Sequence, residues 1–246
     1  MENTLFVALS RQVTLRRQMD VVANNIANMN TTGFKGEKMM FVEHLVRSKS
    51  DENKLGDTLN YVRDIATVRD TTKGNISQTG NPLDLAITKE GYFAIETATG
   101  EQYTRNGRFQ LDATGQLVNQ SGHSVLSSTG QPFFFGPTDT NIVISGDGTV
   151  ATENGSLGRL RVVQFDDELA LKQSGGSLFK AETGNPPIDV EFPNVAQGAL
   201  ESSNVQPIIE MTRMIEVHRQ YESVKSFIDR EDERQKSMIR ELSKTV

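Results

Sequence analysis

The first thirty residues place apolar side chains at alternating intervals of three and four positions, the spacing of a coiled-coil seam along one helix face. The seam consists of Leu5, Ala8, Gln12, Leu15, Met19, Val22, Ile26 and Met29, with one polar member. Gly33 follows and suits the left-handed conformation with which many helices end. A lone amphipathic helix cannot bury its apolar face. The pattern therefore predicts a helix that packs against a partner.

The C-terminal segment supplies a candidate for that partner. Residues 205–242 contain no glycine, and their one proline, Pro207, is tolerated in the first turn of a helix. The same 3-4 spacing recurs at Met214, Val217, Tyr221, Val224 and Ile228, and a further apolar strip is formed by Ile208, Met211 and Ile215. The two ends of the chain are therefore predicted to pair as a coiled coil.

The middle of the chain has a different pattern. Short apolar alternations, such as Leu83, Leu85 and Ile87, are separated by turn residues about every 8–12 positions, as in sandwiches and barrels. Glycine and proline are concentrated there, since no proline precedes Pro82 and no glycine follows Gly198. This part is predicted to be an all-β domain, and its composition also allows one short helix over residues 166–173.

The predicted fold class is therefore α+β, with long paired terminal helices and a central all-β domain. Residues 1–33 and 200–246 form a discontinuous helical domain for assembly, and residues 75–199 form the β domain. Residues 34–74 connect them as a loop or an extended segment. Because about 170 residues separate the two helices, closing that loop has an entropic cost, and we expect their pairing to be marginal in the free monomer.

The composition removes several classes of function. The 246 residues include no cysteine, which excludes disulfides, thiolate metal sites and cysteine nucleophiles. The three histidines, His44, His123 and His218, share no metal-ligand spacing. A formal charge of −6 without a basic cluster argues against nucleic acid as a partner, and no apolar run is long enough to span a bilayer. Common catalytic and nucleotide-binding motifs are absent, so we expect neither an enzyme nor a cofactor.

The least ordinary segment is the asparagine-rich end of the first helix. Asparagine lowers helix propensity, yet four occur at Asn24, Asn25, Asn28 and Asn30. A fraying helix end with asparagine capping accounts for Asn30. The other three flank the seam, where their amides could form hydrogen bonds that fix the register against a neighbour.

Two terminal motifs resemble those of the flagellar axial proteins, the rod and hook family. ANNIANMNTTGFK at residues 23–35 is similar to the family's N-terminal signature, and the segment from residue 198 to 222 is similar to its closing motif. The positions that match the closing motif are Leu200, Glu201, Ser203, Asn204, Val205, Glu210, Met211, Met214, Ile215, Arg219, Tyr221 and Glu222. The central segments GNPLDLAITKEGYF and YTRNGRFQLDATGQLV also resemble family segments.

The resemblance implies a structural subunit of the bacterial flagellar basal-body rod. Such a subunit would leave the cytoplasm through the flagellar type III export apparatus and assemble in the periplasmic part of the rod. Its partners would be copies of itself and other rod proteins, with the terminal helices as an inner layer around the export channel and the β domain outside. The expected assembly interface comprises Leu15, Met19, Val22, Asn24, Asn25, Ile26, Asn28, Gly33, Phe34, Asn204, Val205, Met211, Met214, Ile215, Val217, Arg219, Tyr221 and Val224.

Two other classes of protein fit parts of the same pattern. A β binding module with a coiled-coil dimerisation stalk would form stable homodimers, whereas a rod subunit should stay monomeric until assembly is nucleated. An enzyme that cuts cell-wall polymers would need acid and base carboxylates converging in a cleft.

Overall fold

A computed structural model describes residues 2–47, 58–139 and 141–244, and within them the side chains of residues 5–40, 66–139, 141–241 and 243. It confirms the predicted fold class, because long helices at the two ends of the chain pack against each other and the centre is built of antiparallel sheets. The chain divides into two compact units. The helical unit comprises Met1–Ala27, Glu37–Arg69 and Gln206–Val246, and the β unit comprises Asn28–Gly36 and Asp70–Val205.

The helical unit contains two helices and a hairpin. Helix α1 spans Glu2–Ala27, and helix α2 spans Pro207–Lys244, with Pro207 at its first position. Strands β1 (Glu37–Arg47) and β2 (Thr58–Arg69) pair antiparallel and pack against α1. The sequence predicts that residues 34–74 form a connecting loop or extended segment. In the structure, most of the described part of that segment is this hairpin, grouped with the helices.

The seam between α1 and α2 lies where the 3-4 spacing predicted it. Leu15 and Val22 of α1 and Val217 of α2 are buried, and Tyr221 and Val224 are half-buried. The helices run antiparallel, since Asn25 in the last turn of α1 meets Glu210 in the first turn of α2. Each large apolar side chain that is fully buried contributes roughly 1.5–3 kcal/mol to such a pair.

The β unit consists of short strands joined by tight turns. In chain order these are β3 (Ile76–Gln78), β4 (Leu85–Ile87), β5 (Tyr92–Thr97), β6 (Gly100–Thr104), β7 (Phe109–Leu111), β8 (Leu117–Asn119), β9 (Ser124–Val125), β10 (Val143–Ile144), β11 (Thr149–Thr152), β12 (Gly155–Arg159), β13 (Val162–Gln164), β14 (Lys172–Gln173), β15 (Leu178–Lys180), β16 (Ile188–Asp189), β17 (Val195–Gln197) and β18 (Ala199–Glu201). Within the described residues, the largest sheet has the order β14-β15-β6-β5-β9-β8-β7, and β13 joins β5 to β16.

Strand β5 lies at the centre of the β unit and is covered on both faces. Because successive side chains of a strand point to opposite faces, Phe93 and Ile95 enter one apolar cluster while Tyr92 and Ala94 enter another. Phe93 packs edge-on against Phe109, with ring centroids 5.2 Å apart. Two apolar clusters therefore hold the β unit together.

The short helix allowed over residues 166–173 does not form. The Asp167 carboxylate accepts hydrogen bonds from the amides of Leu169 and Ala170, which stabilises a turn at this point. Directly afterwards, β14 pairs with β15. Local side-chain capping and strand pairing together outweigh helix propensity here.

Candidate functional site

The helical unit exposes two apolar stripes that lie outside the seam. Phe6, Leu9 and Val13 form the α1 stripe, and Ile208, Met211 and Ile215 form the α2 stripe; within each, the 3-4 spacing keeps the side chains on one helix face. Phe6 is 59% exposed and Ile208 is 81% exposed. Surface patches of this kind commonly mark protein–protein contacts. The α2 stripe is the strip seen in the sequence, whereas the α1 stripe was not singled out there.

The residues predicted for the assembly interface fall into different environments. Leu15, Val22, Val217, Asn25, Gly33 and Phe34 are buried within the single chain; Met19, Ile26, Asn28, Asn204, Val205, Met214, Tyr221 and Val224 are half-buried; and Asn24, Met211, Ile215 and Arg219 are exposed. The buried members leave little surface for a neighbouring subunit. The exposed apolar surface of the helical unit therefore includes the stripes more than the seam.

Asn25 connects three elements of the helical unit. Its side-chain nitrogen donates to the carbonyl oxygen of Glu37 at 2.8 Å and to the Glu210 carboxylate at 3.3 Å, and its side-chain oxygen accepts from the Glu37 amide at 2.9 Å. Glu210 in turn pairs with Arg213 at 2.7 Å. The side-chain amide of asparagine offers both a donor and an acceptor, and Asn25 uses both here. The register that Asn25 fixes in the structure is that of α1, β1 and α2 within one chain.

The β unit contains a buried ion cluster where residues of the two terminal motifs meet. The Glu201 carboxylate lies 2.5 Å from the Lys35 ammonium and 2.6 Å from Nε of Arg105, and all three side chains are at most 5% exposed. Arg105 also donates to the carbonyl oxygens of Gly91 and Lys89. Buried charges are tolerated when paired and hydrogen-bonded in this way.

Burial and charge act on this cluster in opposite directions. Burial disfavours the ionised form of Glu201, but the charge of Arg105 and the hydrogen bond and charge of Lys35 outweigh it and hold the Glu201 pKa below its ordinary value. Burial lowers the pKa of Lys35, although Glu201 partly opposes this shift. Burial also raises the pKa of the nearby Glu168 carboxyl, against the charge of Arg105.

Hydrogen bonds to backbone groups also join the two terminal motifs. The Gly33 amide donates to the carbonyl oxygen of Glu201 at 2.8 Å. The Asn204 side chain accepts from the Gly36 amide at 2.8 Å and donates to the carbonyl oxygens of Asp70 and Thr72. The terminal motifs thus converge through hydrogen bonds within one chain.

Gly33→Ala is expected to destabilise the β unit strongly. The φ of Gly33 is +67°, and an added Cβ would lie 2.5 Å from the Arg105 carbonyl carbon, which belongs to the backbone and cannot rotate away. Gly122→Ala is the matched control, since Gly122 has φ +81° and open space around it. Left-handed strain should cost about 1–2 kcal/mol in both variants, and the clash about 1–3 kcal/mol more in Gly33→Ala. Equal losses in denaturant titrations would contradict this packing.

The ion cluster is not evident from the sequence. In the sequence, Lys35 and Glu201 belong to the two terminal motifs, and no motif or pattern assigns a role to Arg105. The three residues are separated by 70 and 96 positions, so only the folded chain brings them together. No local pattern marks Arg105, because the preceding strand, Gly100–Thr104, has no apolar alternation.

The buried ion cluster and the hydrogen bonds of Asn25 stabilise the folded chain, and the stripes are exposed apolar surface. Among the described residues, no group of three or more His, Cys, Asp or Glu side chains could hold a metal ion. None of the helices in the described part of the chain is long and apolar enough to cross a membrane.

Three family descriptions match successive parts of the chain. Residues 5–35 match "Flagella basal body rod protein", residues 86–152 match "Flagellar hook protein FlgE/F/G D1 domain", and residues 196–241 match "Flagellar basal body rod FlgEFG protein C-terminal". The first and last cover the asparagine-rich signature and the closing motif.

Individual proteins are similar over nearly the whole length. The flagellar basal-body rod protein FlgF of Caulobacter vibrioides is 39% identical over 99% of both chains. FlgF of Mesorhizobium japonicum is 34% identical over 91% of this chain and 90% of its own. The rod protein FlgG of Bacillus subtilis is 32% identical over 95% of this chain and 96% of its own.

Proposed function

Because this chain belongs to the family of flagellar basal-body rod proteins, we propose that its helical unit builds the rod by packing the two exposed stripes against neighbouring subunits. The protein is a structural subunit of the basal-body rod and is located in the basal body. The observation that carries the proposal is that the seam is closed within one chain while six apolar side chains of the stripes remain exposed.

Burial of the stripes would contribute to association. Full burial of a large apolar side chain is worth roughly 1.5–3 kcal/mol, and the stripe residues are about half exposed. Covering all six would therefore supply on the order of 5 kcal/mol or more before the entropic cost of association. Many such contacts along a rod would stabilise the helix pair further and add stiffness without a disulfide.

The relatives favour a FlgF-type subunit over a FlgG-type one. The chain is 39% identical to a FlgF protein over nearly its full length, against 32% for the FlgG protein above. This supports a place in the proximal rod, with the distal rod protein FlgG as the alternative. Labelling the subunit in isolated basal bodies would distinguish the two positions.

The partners follow from the same assignment. Rod-family proteins assemble with other rod proteins, and here the partners are copies of this chain and its rod neighbours in the periplasm. The subunit reaches them through the flagellar type III export apparatus. The absence of cysteine supports this route, since no disulfide has to form or break along it.

The binding-module alternative requires a seam between two chains. In the structure, Leu15, Val22 and Val217 are buried within one chain, so no stalk is left open for dimerisation through them. Family membership also identifies a structural protein, which gives no support to a cell-wall enzyme.

The double variant Ile208→Ser, Ile215→Ser tests the proposal. Both side chains are exposed, so the free energy of unfolding of the isolated chain should change little. Cells that depend on this variant should lose rods and swimming, because the α2 stripe no longer packs against neighbours. The control is Glu216→Ser, an exposed polar position on the same helix, which should support both. Normal rods in the double variant, seen by electron microscopy, would refute the proposal.

A further inference from the structure

Helix α2 is much longer than the helix with which it pairs. It has 38 residues against 26 in α1, which corresponds to roughly 57 Å and 39 Å at 1.5 Å per residue. From the contact of Asn25 with Glu210, an antiparallel partner reaches the start of α1 about 23 residues further along α2. α2 must therefore extend past the end of α1.

Side-chain exposure shows where the pairing ends. From Met214 onward, the described positions of α2 that are buried or half-buried recur every three or four residues, at Met214, Val217, Tyr221, Val224, Ile228, Glu231 and Gln235. Beyond Gln235, every described side chain of the helix, at residues 236–241 and 243, is exposed. The helix from residue 236 to 244 thus forms an overhang, and α1 covers none of its described side chains.

The overhang keeps the 3-4 spacing of the seam and carries exposed apolar side chains. Met238 lies three positions after Gln235 and keeps the 3-4 spacing, and Ile239 beside it is 66% exposed. The apolar side chains at this end therefore lie in register with the seam that α1 covers, and the polar seam positions Glu231 and Gln235 separate them from Ile228. A second helix in the same groove would extend that interface.

The opposite end of α2 carries the α2 stripe. We propose that the overhang of one subunit packs on the α2 stripe of a second copy of this chain, displaced along the helix axis. The proposal rests on the proposed function and specifies which surfaces meet. Met211 and Ile239 are 28 residues apart, so such a displacement would be about 42 Å. Two different surfaces meet, so the contact is heterologous and can propagate without closing.

A symmetric contact between two overhangs is less favourable. It would bring Lys236 and Arg240 of both copies into one interface, where like charges repel. It would also close on itself as a dimer and end growth. The face of the α2 stripe instead carries exposed charges of both signs, Arg219 and Glu222, four and seven positions after Ile215, so a cationic overhang meets an anion there.

The double variant Met211→Cys, Ile239→Cys tests the proposal in the full-length chain, which has no other cysteine. About 42 Å of helix separates the two positions, so a disulfide within one chain is impossible. Mild oxidation of basal bodies from cells that carry the variant should give crosslinked species at two, three and more times the chain mass. The single variants should give none, and cells expressing both single variants should give dimers only.

Two results would overturn this contact. Dimers from Ile239→Cys alone would show a symmetric contact instead, and normal rods without any crosslink in the double variant would show that the overhang packs elsewhere. In both cases the proposed function stands, because it depends on the Ile208→Ser, Ile215→Ser variant. Normal rods in the Ile208→Ser, Ile215→Ser variant would refute the proposed function, whatever the crosslinking experiment shows.

A second measurement does not depend on disulfide geometry. Met211→Ser and Ile239→Ser each remove one side of the same contact, so we expect each to reduce the number of rods per cell to a similar extent. The double variant should be no worse than either single variant. Multiplicative losses in the double variant would overturn the proposal. Both side chains are exposed, so unfolding of the isolated chain should be unchanged.

Discussion

Glu201→Gln is expected to lower the free energy of unfolding of the β unit by about 3–5 kcal/mol. The substitution keeps the shape of the side chain but removes the anion that Lys35 and Arg105 share. Two cations then remain buried without a counter-charge, and the low-dielectric surroundings make this costly. Urea titration followed by tyrosine fluorescence measures the loss, since all the described tyrosine side chains of the β unit lie in or near its cores.

The control uses an ion pair on the surface of the same unit. Glu182 pairs with Lys172, and both side chains are well exposed. Glu182→Gln removes the same type of charge, yet solvent already screens it, so we expect no measurable change. Equal losses in the two variants would contradict a special role for the buried cluster.

The same variant should change the acid sensitivity of the protein. Because the folded-state pKa of Glu201 lies below its ordinary value, its stabilising contribution is complete above the unfolded-state pKa, about 4.3. It is lost as the pH falls below that value through the folded-state pKa. The pKa of Glu168 is raised, so Glu168 changes the stability with pH in the opposite direction. Because Glu168 is present in both the parent chain and Glu201→Gln, its contribution cancels in the comparison. Stability of Glu201→Gln should therefore fall less steeply with acid than that of the parent chain.

Leu15→Ala is expected to lower the free energy of unfolding of the helical unit by about 2–4 kcal/mol. Leu15 is 5% exposed in the middle of the seam, so truncation leaves a cavity between α1 and its neighbours. The effect on the free chain should be large, because a pair of helices with a long connection has little stability to lose. Amide exchange along α1 and α2 measures it without interference from the β unit.

Leu9→Ala provides the matched comparison on the same helix. Leu9 belongs to the α1 stripe and is 39% exposed, so the free chain should lose less than about 1 kcal/mol. Rod assembly should nevertheless suffer, since the stripe is the surface offered to neighbours. If Leu9→Ala slowed assembly no more than a polar surface substitution, the division between seam and stripe would be wrong.

Much of the fold follows from periodicity. The seams of both helices and the β character of the centre were predicted from 3-4 spacing, alternation and the positions of glycine and proline. These signals are local, because they need only a few turns of helix or a few strand residues. The hairpin of β1 and β2 was not predicted, since its pairing depends on residues up to 32 positions apart.

The functional surfaces were harder to predict for the same physical reason. Asn25 stood out in the sequence, but its partners Glu37 and Glu210 lie 12 and 185 positions away. A pattern can identify an unusual polar residue on a helix without showing whether its partner belongs to the same chain. The stripe of Phe6, Leu9 and Val13 was likewise hidden, because burial decides which of two apolar faces is used within the chain.

In the assembled rod, neighbouring subunits are expected to cover the apolar surface that the single chain leaves exposed on the helical unit. Val13→Cys tests it most directly, because Val13 is exposed in the single chain and no other cysteine competes for a maleimide reagent. Labelling is compared in the free chain, in isolated basal bodies and in denatured protein, which defines complete reaction. We expect rapid labelling of the free chain and strong protection in the rod. Equally rapid labelling in basal bodies would contradict the claim.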